Sequence, residues 1–89
     1  MSPKEDRKRS SLEIISEILC IARKGARKTH IVYDANLNFK ILEKYLKNLK
    51  HKGLLTCPED TNLIKTTEKG EKYLKKLHQL NLISSYLSS

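Results

Sequence analysis

Between Asn38 and Gly53 the apolar residues fall on one side of a helix and the lysines gather on the other. Phe39, Leu42, Tyr45, Leu46 and Leu49 recur at the three- and four-residue spacing of one helical face. Lys40, Lys44, Lys47 and His51 lie opposite, within about 60° of one another at 100° per residue. Asn38 is a side-chain N-cap and Gly53 a stop, which predicts a helix from Phe39 to Lys52. Such a segment must bury one face and leave the other in water, so the rest of the chain has to cover the leucines. With 89 residues there is room for one domain and one core.

The cover is legible on both sides of that helix. Ser10-Ser11-Leu12-Glu13 has the spacing of a capping box and predicts a first helix running to Lys24, with Gly25 as its stop. Leu12, Ile15, Leu19 and Ala22 make one apolar stripe, with Ile14, Ile18 and Ile21 beside it. Together they are wider than the ~100° that a one-sided surface helix needs, so this helix is expected to pack against two things. Thr29 is expected to cap a short helix, His30 to Ala35, with Ile31 and Val32 inward, and Asn36-Leu37-Asn38 is a turn.

After Gly53, Leu54 to Cys57 and Asn62 to Thr66 read as two strands around a turn holding Pro58, Glu59, Asp60 and Thr61. Thr67 then caps a final helix beginning at Glu68. Two helices joined by a tight polar turn and followed by a hairpin is the layout of a winged helix-turn-helix. The expected fold class is therefore mostly α with a small β-hairpin, in the order α-α-α-β-β-α, closed by a C-terminal dimerisation helix. Residues 1–9 are expected to form a flexible basic arm, 10–67 the winged helix-turn-helix domain, and 68–89 the final helix.

The formal charge of +8 is concentrated. Arg23 to Lys52 holds nine basic residues against Asp34 and Glu43, and the remaining blocks are close to neutral. A concentrated block of this kind favours a polyanion, nucleic acid ahead of an anionic membrane surface. No apolar run approaches the ~18 residues of a membrane span. The charged opening lacks the apolar core of a secretory signal, and two cysteines, Cys20 and Cys57, are too few for a disulfide scaffold. A cytoplasmic, nucleoid-associated protein is the expectation. His30, His51, His78 and the cysteines lack metal-ligand spacing, and Gly25, Gly53 and Gly70 are isolated rather than clustered in a phosphate loop. Neither a metal, a cofactor, a small-molecule ligand nor an enzymatic activity is expected.

Leu12-Glu13-Ile14-Ile15, Gly25-Ala26-Arg27-Lys28-Thr29, Ala35-Asn36-Leu37-Asn38-Phe39, Lys52-Gly53-Leu54-Leu55 and Thr67-Glu68-Lys69-Gly70 occur in that order. Taken together, these blocks resemble the small archaeal winged-helix family of "ten-a" DNA-binding proteins and related transcriptional regulators, over about Ser10 to Leu77. The resemblance implies double-stranded DNA binding through the third helix and dimerisation through the last.

Read from the residues themselves, the third helix would enter a major groove with its N-terminal end toward the bases. Asn38, Lys40, Glu43 and Lys44 are the candidate base contacts, and Lys47 and His51 extend the basic face. Asparagine would pair with adenine, lysine with guanine, and Glu43 with the cytosine amino group. Arg27, Lys28 and Thr29 before the second helix are candidate phosphate contacts, with Tyr33 either offering its hydroxyl or packing half-buried. Lys65 is the cation of an otherwise acidic wing. Phe39 and Tyr45 are read as buried, which leaves no evident aromatic platform for RNA. A protein-interaction module with little DNA affinity is the alternative of a different class. A homodimer is expected through Ile14, Ile18 and Ile21 and through the uncharged tail residues Leu80, Ile83, Tyr86 and Leu87.

Overall fold

The computed structural model describes residues 9–58 and 60–80. The order of elements is α1 (Ser11–Ile21), a 3₁₀ turn (Ala22–Lys24), α2 (Lys28–Ala35), α3 (Phe39–His51), β1 (Leu55–Thr56), β2 (Lys65–Thr66) and α4 (Glu68–Gln79). Three of the four α-helices start on the side-chain caps that the sequence supplies. Ser10 Oγ accepts from the Glu13 amide at 3.1 Å while Glu13 Oε1 accepts from the Ser10 amide at 2.9 Å. Asn38 Oδ1 accepts from the Ile41 amide at 2.8 Å, and Thr67 Oγ1 from the Gly70 amide at 3.0 Å.

α2 departs from expectation. It begins at Lys28, with extended Arg27 as its N-cap and no side-chain hydrogen bond there, so Thr29 lies inside the first turn and caps nothing. The chain leaves α2 through Asn36 in the left-handed region (φ 55°), a conformation asparagine tolerates. α1 is also shorter than expected. Its last turn tightens to 3₁₀ over Ala22–Lys24 before Gly25 turns away at φ +94°.

The hairpin is small. β1 and β2 pair antiparallel, Leu55 with Thr66 and Thr56 with Lys65, so both strands are half as long as their apolar runs suggested or less. A further rung joins the connector before α2 to the hairpin: the Ala26 amide donates to the Ile64 carbonyl at 2.9 Å and the Ile64 amide to that of Ala26 at 2.8 Å. Thr66 Oγ1, buried, donates to the Leu19 carbonyl at 2.7 Å and ties the hairpin to α1.

One core serves all of these elements. Ile18, Leu19, Ile31, Leu42, Leu46, Leu49, Leu54, Leu55, Ile64 and Leu74 are buried in it together with Ala22, Ala26 and Ala35. The inward line of α1 is Ile18, Leu19 and Ala22, midway between the two stripes read from the wheel. Leu12 therefore stays at the periphery, while Ile14, Ile15 and Ile21 pack half-buried against the cluster. This corrects the expected dimer interface: Ile18 is 0% exposed inside its own chain and has no surface to offer a partner. Phe39 was also expected inside, yet at the first position of α3 it is 49% exposed. Leu80 is 66% exposed, and Ile83, Tyr86 and Leu87 lie outside the described residues. Arg9, assigned from sequence to the mobile arm, is instead held by an ion pair with Glu17 and by a hydrogen bond to the Asn36 carbonyl at 3.3 Å.

Gly70 marks the closest approach of two elements. A β-carbon there would overlap the Leu54 carbonyl oxygen and stand 2.7 Å from Thr66 Cγ2. Thr67 completes the joint by donating from its hydroxyl to the Gly53 carbonyl at 2.6 Å and from its amide to the Leu54 carbonyl at 3.0 Å.

Two substitutions test this packing. Leu46→Ala should destabilise the domain by roughly 2–5 kcal/mol, enough to unfold most of so small a protein. Gly70→Ala, which stabilises an ordinary helix interior by about 1 kcal/mol, should here destabilise by about 1–3 kcal/mol through overpacking. Urea titration followed by circular dichroism reads both. A Gly70→Ala variant more stable than the parent would show that α4 does not sit against Leu54.

Candidate nucleic-acid interface

The roll of α3 follows from its buried line. Leu42 and Leu49 are at most 1% exposed and Leu46 2%, and a helix fixed by three inward leucines has one outward face. That face carries Lys40, Lys44, Lys47 and His51, all exposed. The helix is pinned at both ends. Asn38 caps its start, and at its end Gly53 takes φ +79° while Lys69 Nζ donates to the Lys52 carbonyl at 2.9 Å. Tyr45, half-buried on one flank, donates its hydroxyl to Ser11 Oγ at 3.3 Å.

Glu43 lies on the opposite flank and forms an ion pair with Lys28 from the first turn of α2. Both partners are about half exposed. The pair brings two of the expected contact residues together across the turn and alters the role of each. Lys28 is not a free cation, and Glu43, the one acid on α3, is neutralised. Asn38 is similarly engaged. Its Oδ1 is committed to the cap, so bidentate pairing with adenine, which needs both amide atoms, would have to open the helix start.

Lys47, Lys50 and His51 line one shallow groove with Glu43 and Lys44. Lys50 was not singled out from the sequence, although its three-residue step from Lys47 was the available signal. Arg27 and Thr29 are exposed at the start of α2, and Lys65 is exposed on β2, paired with Thr56 across the hairpin. Tyr33 is 85% exposed, which removes the half-buried reading of that residue. The wing turn holds Pro58, Asp60 and Thr61, where Thr61 Oγ1 accepts from the Leu63 amide at 3.2 Å. Cys20 is exposed and Cys57 half-buried just beyond β1. Among the described residues no three His, Cys, Asp or Glu side chains cluster as a metal site, and no helix is long and apolar enough to cross a membrane.

The sequence matches the winged helix-turn-helix family over residues 8–85. It is 36% identical over 74 residues to the uncharacterized protein MJ0287 of Methanocaldococcus jannaschii, covering 82% of this chain and 74% of that one. The fold is similar to the crystal structure of Sso10a-2, a DNA-binding protein from Sulfolobus solfataricus. That match has a TM-score of 0.76 at 26% identity and covers 90% of this chain and 86% of the other.

Because the outward residues of α3 make no core contact, their removal should leave the fold intact. Lys44→Ala, Lys47→Ala and Glu43→Gln should each shift stability by less than about 0.5 kcal/mol, read from thermal melts. A loss of several kcal/mol in Glu43→Gln would show that the pair with Lys28 holds α2 against α3.

Proposed function

This chain belongs to the winged helix-turn-helix family, and on that premise we propose that it binds double-stranded DNA, with α3 lying in the major groove. The observation that carries this reading is the exposed face Lys40, Lys44, Lys47 and His51, held outward by the buried leucines behind it. A helix presenting one row of cations fits the width and charge of that groove. The description of Sso10a-2 as a DNA-binding protein supports it.

Arg27 and Thr29 meet phosphates at the start of α2, where no side chain occupies the first amides. Lys28 joins them when its pair with Glu43 opens. Lys65 contacts the backbone from the wing. The lysines meet phosphates more than bases, which gives modest sequence specificity suited to a transcriptional regulator or a nucleoid protein rather than an enzyme. What base preference there is comes from Asn38 through its amide nitrogen, its oxygen being held by the cap, and from Glu43 once its pair with Lys28 opens. A DNA partner implies work at the cytoplasmic nucleoid.

The functional unit is a homodimer joined by the final helix, through Leu80, Ile83, Tyr86 and Leu87 with Ile14 and Ile21 beside them. A two-fold pair would set recognition helices about 34 Å apart, the spacing of successive major grooves. Sedimentation equilibrium should find a dimer at tens of micromolar that becomes a monomer when the chain is cut after Leu77. A monomeric full chain would refute it.

If about four to six phosphates are neutralised per protomer, log K should fall against log salt with a slope of roughly −0.9 per phosphate. Gel shifts with duplex DNA at two salt concentrations read this. The double variant Lys44→Ala/Lys47→Ala should bind at least tenfold more weakly and with a shallower slope, whereas Glu43→Gln should bind more tightly because it frees Lys28. Parental affinity in the double lysine variant would overturn the placement of α3.

A further inference from the structure

We propose that the groove beside the outward face of α2 is a site for one unpaired nucleotide, with the Tyr33 ring taking its base and Arg27 the junction phosphate that links it to the duplex. The occupant is a single DNA strand continuing from the duplex bound on α3. The inference rests on the DNA-binding reading above and adds a second contact to it.

The groove is open, about 560 Å³, and Arg27, Thr29, His30 and Tyr33 form its wall, with Gly25 and Leu63 among its lining residues. Among the described residues Tyr33 is the most exposed large apolar side chain, with 85% of its surface in solvent. Its place on the helix matters. Thr29 and His30 precede it by four and three residues and so share its face. Arg27, the extended N-cap just before α2, lines the same groove about one and a half helical turns from Tyr33, a separation that one nucleotide with its phosphate can span.

Charge selects the same occupant. Asp34, the one acid on α2, is held by His30 Nε2 at 2.8 Å. Lys28 is engaged by Glu43 on the other flank. Arg27 makes no salt bridge among the described residues, so the cation at the head of the groove is free for an anion. An aromatic face beside a free guanidinium is the pairing that binds single strands without regard to sequence, since every base has a π-face and every nucleotide a phosphate. A paired base offers no face to a ring on a helix flank, so the nucleotide must be unstacked. The two flanks of α2 also give the strand its path. One flank is tied to α3 by the Lys28–Glu43 pair and the other carries Tyr33, with Arg27 at the end between them. A strand leaving the α3 face at the Lys28–Glu43 pair would meet Arg27, the adjoining residue, before Tyr33. The protein would favour duplex ends, junctions or locally opened DNA over uninterrupted duplex.

The test compares a blunt DNA duplex with the same duplex bearing a three-nucleotide single-stranded extension whose first base is 2-aminopurine. The full-length protein should bind the extended duplex about tenfold more tightly, the effect of one stacked base, and quench the 2-aminopurine emission. Tyr33→Phe should keep both effects, and Tyr33→Ala should lose both while binding the blunt duplex as the parent does. Equal affinity for the two duplexes, or a gain that survives Tyr33→Ala, would overturn the site while leaving α3 in place. A gain seen only when the extension is RNA would overturn the assignment to DNA. Failure to bind even the blunt duplex would instead remove the reading on which the site rests.

Discussion

The burial of Leu42, Leu46 and Leu49 fixes the roll of α3, and the roll of α3 decides where every lysine on it points. These leucines share one core with Ile18 and Leu19 of α1, Ile31 of α2 and Ile64 beside the hairpin. No element can turn without disturbing the others, because close-packed interiors transmit displacement rather than absorb it. The consequence is a division of labour along a single 13-residue helix. One face is spent wholly on the fold, and the other is free to carry charge at almost no energetic consequence to the folded state.

A second joint sets the rest of the molecule around that helix. Gly53 ends α3 at positive φ, Leu54 enters the core, and the Gly53 and Leu54 carbonyls are both taken by Thr67. Gly70 then lets α4 lie directly on Leu54. The wing and the last helix are thereby hung from the end of α3 by a few backbone hydrogen bonds, and Lys69 closes the arrangement by capping the same helix end. The motifs Lys52-Gly53-Leu54-Leu55 and Thr67-Glu68-Lys69-Gly70, far apart in sequence, are the two halves of one contact.

What sequence reasoning could reach here was the local physics. Caps, stops and periodicity lie within a few residues of one another, so Ser10 with Glu13, Asn38 and Thr67 could be read directly, as could the leucine face of α3. Relations across the chain were harder. The roll of α1 depends on which neighbours press on it, and two equal stripes gave no means of choosing the line between them that buries Ile18. The strands shrank because pairing, not apolarity, defines them, and Ala26 entered as an isolated bridge that no propensity signals. At the interface, the positions of the lysines on α3 were legible from the wheel. The Lys28–Glu43 pair and the exposure of Tyr33 were not, since both depend on how α2 lies against its neighbours.

The central claim, that the outward face of α3 is the surface on which duplex DNA sits, is tested most directly by titrating the isotopically labelled protein with a short duplex and following backbone amide resonances. The largest shifts should fall on residues 38–51 and 27–29, with smaller ones at Lys65, while α4 from Glu68 to Gln79 stays nearly unmoved. Shifts centred on α4 with the amides of Lys40, Lys44 and Lys47 unperturbed would contradict it.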